Sequence, residues 1–231
     1  MAFVVAIDGP AASGKGVISR RLGESFGLRV LDTGLLYRAV GAAVLRAGGD
    51  LDAETASAAA ARALDLQQLD DPDLRSETAG EAASRVAVHP EVRRALLDFQ
   101  RAFAMREPGA VLDGRDIGTV IFPEAQAKFF VTASVEARAR RRWRQLSSQG
   151  GEASYDDTLA DIRRRDARDA AREAAPMRPS PDAVLLDTTD LDIDGAFDAA
   201  RRIVEAARGR WERSQSGQSH RATPGKPRAP Q

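Results

Sequence analysis

The sequence predicts an α/β domain in which a five-stranded parallel sheet is flanked by helices. Three observations lead there. Five short apolar runs alternate with helical patterns over most of the 231 residues, the signature of strands joined by helical crossovers. The first run passes straight into a glycine-rich turn that opens a helix. Cysteine is absent, so neither a disulfide framework nor thiolate metal ligation shapes the chain.

Taken in order, the expected strands are Phe3 to Asp8, Leu28 to Asp32, Ala110 to Asp113, Ala127 to Ala133 and Ala183 to Asp187, most ending at a polar residue or turn signal. Helical patterns fill the gaps: Lys15 to Phe26, Gly34 to Ala47, Glu54 to Leu64, Gly80 to Ala87, Glu91 to Met105, Val135 to Ser147, Tyr155 to Ala174 and Asp194 to Trp211. In such sheets ligands gather beyond the carboxyl ends of the strands, so residues just after each run carry the interest. Residues 212–231, rich in Ser, Gln, Pro, Gly and Arg, offer almost nothing to bury and are expected to be a disordered tail.

Bulk composition narrows the partners. With 43% apolar and 29% charged residues, the chain can fill one core with a mobile appendage. Lys+Arg and Asp+Glu both number 34, so no global field attracts nucleic acid or an anionic membrane. Anions must be bound by local clusters. No window reaches the roughly 18 to 20 apolar residues of a membrane span, and the opening "MAFVVAIDGP" lacks a basic start and a cleavage site. A cytoplasmic monomer acting on small molecules is expected.

The first motif is "IDGPAASGKG", in which Gly9, Gly14 and Lys15 match the phosphate-binding loop pattern GxxxxGK between a strand and a helix. Backbone amides and the helix N-terminus make an anion cradle there, and Lys15 reaches the outer phosphates. Gly16 and Val17 follow the lysine, so neither supplies a hydroxyl to Mg²⁺. The ion is expected to be held through nucleotide phosphates and water, near Asp113, with no direct protein ligand. In "LDTGLLYR", Thr33 can cap a helix that carries Tyr37 and Arg38; a cap and a surface arginine are the plain alternative. In "VLDGRDIG", Asp113, Arg115 and Asp116 follow the third strand. Arg115 can clamp a phosphate through two parallel hydrogen bonds, or simply pair with Asp113 or Asp116 within the turn.

An arginine-dense arm runs from "EARARRRWR" through "SSQGGEAS" to "DIRRRDARDAAR". Charge runs are usually solvated helix faces. Two helices joined by a flexible link also form a hairpin that can close as a lid, bringing guanidinium groups over phosphates and excluding water. Trp143 suits packing at the base of that arm; His89 reads as a turn residue and His220 lies in the tail, without metal-ligand spacing.

Together these segments resemble bacterial cytidylate kinase, a P-loop nucleoside monophosphate kinase family, over roughly residues 2 to 208. "DGRDIGTVIFP" carries more of the resemblance than the phosphate loop alone. The resemblance implies transfer of the γ-phosphoryl group of ATP to CMP or dCMP, with Mg²⁺ accompanying ATP. It implies a kinase domain at 1–211, with a monophosphate-binding region at about 34–105 and a lid at about 136–174. ATP would lie on Gly9, Pro10, Ala11, Ala12, Ser13, Gly14, Lys15, Gly16 and Val17. CMP would meet Thr33, Tyr37, Arg38, Ser84, Arg93, Arg115, Asp116, Arg165, Asp169 and Arg172, with Lys15, Arg115 and Arg165 carrying the catalytic charge. The stretch from Asp50 to Ser84 is shorter than the family's usual insert, so its small antiparallel sheet is expected to be trimmed or missing. Two other readings stand beside this one: a P-loop kinase for UMP, AMP or shikimate, and a nucleotide-binding regulator that holds ATP without transferring phosphate.

Overall fold

The computed structural model describes residues 1–148 and 150–219. Its five strands, β1 (Phe3–Asp8), β2 (Arg29–Asp32), β3 (Gly109–Gly114), β4 (Ala127–Thr132) and β5 (Val184–Asp187), pair in parallel in the order β2-β3-β1-β4-β5. The helices are α1 (Lys15–Phe26), α2 (Thr33–Arg46), α3 (Glu54–Arg62), α4 (Glu77–Val86), α5 (Pro90–Met105), α6 (Val135–Ser148), α7 (Tyr155–Ala171) and α8 (Ile193–Ser219). The expected α/β architecture is therefore present.

Central β1 and β3 are buried at every residue, because helices cover both faces of the sheet. Successive side chains of β1 serve opposite layers. Phe3, Val5 and Ile7 join α1 and α8, whose Ala196, Ala200, Val204 and Ala207 recur at helical spacing. Val4 and Ala6 join Leu112, Ala104 and the turn from Ile117 to Phe122. A third cluster holds α2, α3, α4 and α5 together through Leu36, Val40, Val44, Val86 and Leu96. The winding direction reverses between β3 and β4, which opens a crevice at the carboxyl ends of β1 and β3, the place where such sheets bind ligands.

Three details differ from expectation, and the trimmed insert agrees with it. α8 continues through Ser219, so residues 212–219 belong to a helix rather than to the tail. Trp211 anchors it by packing on Phe3 (5.4 Å between ring centroids), Arg208 pairs with Glu212 at 3.1 Å, and the next proline is Pro224. The rest of the expected tail, residues 220–231 with His220, lies outside the described residues. α2 is capped by Asp32, whose Oδ1 accepts the Gly34 amide at 3.0 Å, and not by Thr33. Thr33 instead donates its hydroxyl to Asp113 O at 2.8 Å, tying α2 to β3. α4 starts at Glu77 rather than at Gly80, because the Ser76 hydroxyl accepts the Ala79 amide at 3.1 Å and caps it. Between residues 50 and 84 the described residues form α3 and two 3-10 turns, Leu66–Asp70 and Pro72–Arg75, with no strand.

Candidate active site

The chain leaves β1 through Gly9, where φ is +143° and an added Cβ would lie 2.0 Å from Val131 O. No other residue fits that turn. Gly14 precedes α1 with no side-chain cap and no acidic residue in the first turn, so the orphan amides of the helix start are available to an anion. The turn is held from both sides: the Thr188 hydroxyl donates to Ser13 O at 2.9 Å, and Arg138 Nη1 donates to Ala11 O at 3.3 Å. Asp166 in turn holds the Arg138 guanidinium at 2.6 and 3.1 Å.

Lys15 is buried, donates Nζ to Pro10 O at 2.9 Å and stands 3.9 Å from Asp113 Oδ1. Burial, and then the neighbouring Arg115 charge, lowers its pKa to about 8, although Asp113 pulls the other way. Burial likewise raises Asp113 to about 6, with Lys15 only partly offsetting it. An ion pair at that separation does not cancel the desolvation of two buried charges. The site is short of counter-charge on both sides.

The opposing wall is built from side chains. Arg38 on α2 donates Nη1 to the neutral carbonyls Leu74 O and Ser76 O at 2.8 and 3.1 Å, with the Asp32 carboxylate acting on it from farther away. Burial, and then the facing Arg165, lowers it to about 10. Arg165 on α7 is also lowered, by burial and then by Arg115, and its Asp161 partner stands at 3.9 Å. Both guanidinium groups approach Gly80, where a Cβ would lie 3.2 Å from Arg38 Nη2 and 3.3 Å from Arg165 Nη1. Cations brought together without a carboxylate between them form an anion site. The Nε atoms of Arg165 and Arg172 and one Nη of Arg142 are buried donors without an acceptor among the described residues.

The other guanidinium groups are paired, but within the same wall. Arg93 is ion-paired with Asp116, both side chains buried, and lies over the Tyr37 ring at 5.7 Å. Arg115 Nε meets Asp169 Oδ2 at 3.0 Å, and Arg172 and the Ser84 hydroxyl share the other oxygen. Burial alone would raise Asp169; Arg115 and Arg172 outweigh it and hold the carboxyl below its usual range. Arg115 thus pairs with Asp169 on α7 rather than with Asp113 or Asp116 in its own turn.

One cavity of about 340 Å³ gathers these groups. Its lining includes the loop from Ala11 to Val17 together with Thr33, Tyr37, Arg38, Ser84, Arg93, Asp113, Arg115, Asp116, Arg165, Asp169 and Arg172. Gly9 and Pro10 are buried behind it and shape the turn instead. Arg20, Asp32, Arg75 and Arg142 also line the cavity and were not among the expected residues. The signal for Arg142 was present: Arg138, Arg142 and Gln145 recur at helical spacing on α6, as Ile162, Arg165, Asp169 and Arg172 do along α7 and its end. Trp143 packs edge-on against Tyr155 at 6.4 Å, so it joins α6 and α7 near the link between them rather than at the base of the arm, the place expected from sequence.

The profile of the cytidylate kinase family matches residues 5–206. Cytidylate kinases from a Caulobacter species and from Caulobacter vibrioides are 61% and 62% identical over 211 and 210 residues, covering 91% of this chain and 98% and 99% of theirs. A cytidylate kinase from Xanthobacter autotrophicus is 62% identical over 206 residues, covering 89% of this chain and 99% of its own. Among solved structures, an uncharacterized protein from Eubacterium ventriosum superposes with a TM-score of 0.53 at 13% identity, covering 88% of this chain and 98% of that one; this likeness concerns the fold. The chain therefore belongs to the cytidylate kinase family, whose enzymes transfer the γ-phosphoryl group of ATP to CMP.

Proposed function

We propose that the cavity holds both nucleotides of this reaction, ATP on the loop from Gly9 to Val17 and CMP or dCMP against the arginine wall. The convergence in one cavity of Lys15 with Arg38, bonded to carbonyls, and Arg165, 3.9 Å from Asp161, carries this reading. Arg38, Arg115 and Arg165 grip the monophosphate; Ser84, Arg93, Asp116 and Tyr37 face the base; Asp169 and Arg172 serve the sugar and its phosphate. The kinase domain spans 1–211, with the end of its last helix continuing beyond to Ser219; the monophosphate region is 34–105 and the lid 136–174. The enzyme works as a monomer in the cytoplasm; no described helix is long and apolar enough to cross a membrane.

The chemistry follows from charge. An oxygen of the CMP phosphate is already anionic at neutral pH, so it attacks the γ-phosphorus without a general base. The new P–O bond forms as the bond to the bridging oxygen breaks, and ADP leaves with the electron pair. Alignment and neutralisation of two anions are the protein's tasks. Lys15 lies on the donor side, Arg38 on the acceptor side, and Arg115 and Arg165 between them stabilise the charge that spreads over the transferring group. The lid helices α6 and α7 exclude water, which protects ATP from hydrolysis.

Mg²⁺ fits the donor side. An added Cβ on Gly16 would stand 3.6 Å from Asp113 Oδ2, so the lost hydroxyl position lies beside a carboxylate, which also accepts from Ser19 Oγ at 3.4 Å. The ion would be held through phosphates and water, with Asp113 in support. When bound it would neutralise the donor phosphates. Cytosine offers an amino group where uracil has a carbonyl, and a carboxylate such as Asp116 accepts only from the former. An unsatisfied buried acceptor costs about 1 to 3 kcal/mol, so UMP is the poorer substrate. A panel of CMP, dCMP, UMP and AMP with coupled ADP detection tests this; equal rates with all four acceptors would contradict it.

A further inference from the structure

The carboxylate at the end of β1 has no part in the chemistry above. Asp8 is buried, with a relative exposure of 3%. Its Oδ1 accepts the Ile117 amide at 2.7 Å and its Oδ2 the Gly118 amide at 2.8 Å. These two amides open a single π turn, Ile117–Ile121, whose N-cap is Asp116. At an N-cap an aspartate ordinarily folds its own side chain back onto the second or third amide of the turn, here Gly118 or Thr119. Asp116 makes no such bond. Its carboxylate turns the other way, to Arg93 in the cavity, while its carbonyl accepts from Val120 and Ile121 at 2.9 and 3.1 Å.

We propose that Asp8 is a positioning residue for base selection: it caps the turn after Asp116 from a distant strand, which frees the Asp116 carboxylate to face cytosine. The two acids divide what one would otherwise do alone. Asp8 also costs something to keep. Burial raises its carboxyl to about 7 against the two amide bonds that lower it, with Asp116 adding repulsion. A buried charge held at such a cost is more than a packing element. Since Asp8 directly precedes Gly9, it places the base-reading turn and the phosphate loop on one rigid strand end.

The inference rests on Asp116 reading the base, so both residues are tested together in the full chain. Steady-state kinetics with ATP, CMP and UMP are compared for Asp8→Asn, Asp116→Asn and the double variant. Asn at position 8 keeps the shape but offers one acceptor for two amides. The expected outcome is a rise of about tenfold in the CMP KM with the ATP KM within about twofold, and a narrowed CMP preference over UMP. The double variant should show no further narrowing beyond Asp116→Asn alone. If Asp116→Asn leaves the CMP to UMP ratio unchanged, the base-selection reading fails first. If Asp116→Asn changes it and Asp8→Asn does not, or if both effects add, or if ATP and CMP KM rise equally, the role given to Asp8 is overturned. Should Asp8→Asn fail to fold, Asp8→Ser, which retains a short acceptor, is compared in the same way.

Discussion

The two sides of the cavity, assigned above to the donor and the acceptor, would bind the same kind of group by different means. The donor side is backbone: a nine-residue stretch from Gly9 to Val17 runs from β1 into α1 and presents amides, with a single lysine added. The acceptor side is side chain, drawn from α2, α4, α5, the end of β3 and α7. One is written in contiguous sequence and is held by covalent geometry. The other exists only when five segments are folded together, and it keeps itself in order through carboxylates such as Asp116 and Asp169. On the proposed assignment, a local motif sets ATP binding, whereas tertiary packing sets which acceptor is phosphorylated.

The largest expected effect lies on the donor side. Lys15→Met should lower kcat by about a thousandfold, in line with the loss of a charge-stabilising group in phosphoryl transfer, while circular dichroism shows the fold intact; turnover near that of the parent breaks the assigned role. On the acceptor side, Arg165→Met should lower kcat/KM for CMP by about a hundredfold with ATP affinity nearly unchanged. Equal losses for both nucleotides would merge two sites that here stand apart. Asp116→Ala should narrow the preference for CMP over UMP by about tenfold, read from the ratio of kcat/KM values.

A smaller, pH-dependent effect separates the buried acids. Folding raises Asp8 from 3.8 to about 7 and Asp113 from 3.8 to about 6. The folded chain then binds more protons than the unfolded one between about pH 4 and 7, so stability from these groups falls as pH rises through that window. Melting curves should show Asp8→Asn gaining on the parent between about pH 4 and 7, and the difference levelling above it; a constant offset would show that Asp8 does not titrate there. The smallest effect belongs to the C-terminus. Ending the chain after Trp211 removes the exposed Arg208–Glu212 pair and the last turns of α8, with an expected loss of about 0.5 kcal/mol and kinetics unchanged.

The same contrast explains what the sequence disclosed. β1, α1 and the glycine loop follow from an apolar run, a turn that only glycine allows and a helix period, and each was found where expected. Polar composition after Trp211 suggests a tail, yet α8 runs on through Ser219 from a Trp211 packed on Phe3, a contact between residues far apart in the chain. Thr33 and Asp32 compete for the same cap, and the choice depends on Asp113 O, a partner far away in sequence. Within the arginine-dense arm, periodicity could have singled out Arg138 and Arg142. That Arg138 holds the phosphate loop while Arg142 lines the cavity depends on how α6 lies against the sheet.

A crystal structure of this protein with CMP and an unreactive ATP analogue tests the convergence of the two sides most directly. Arg38 and Arg165 should lie within hydrogen-bond distance of the CMP phosphate, Lys15 on the outer phosphates of the analogue and Asp116 on the cytosine amino group. CMP bound away from Arg38 and Arg165, with those guanidinium groups left on carbonyls and carboxylates of the protein, would contradict it.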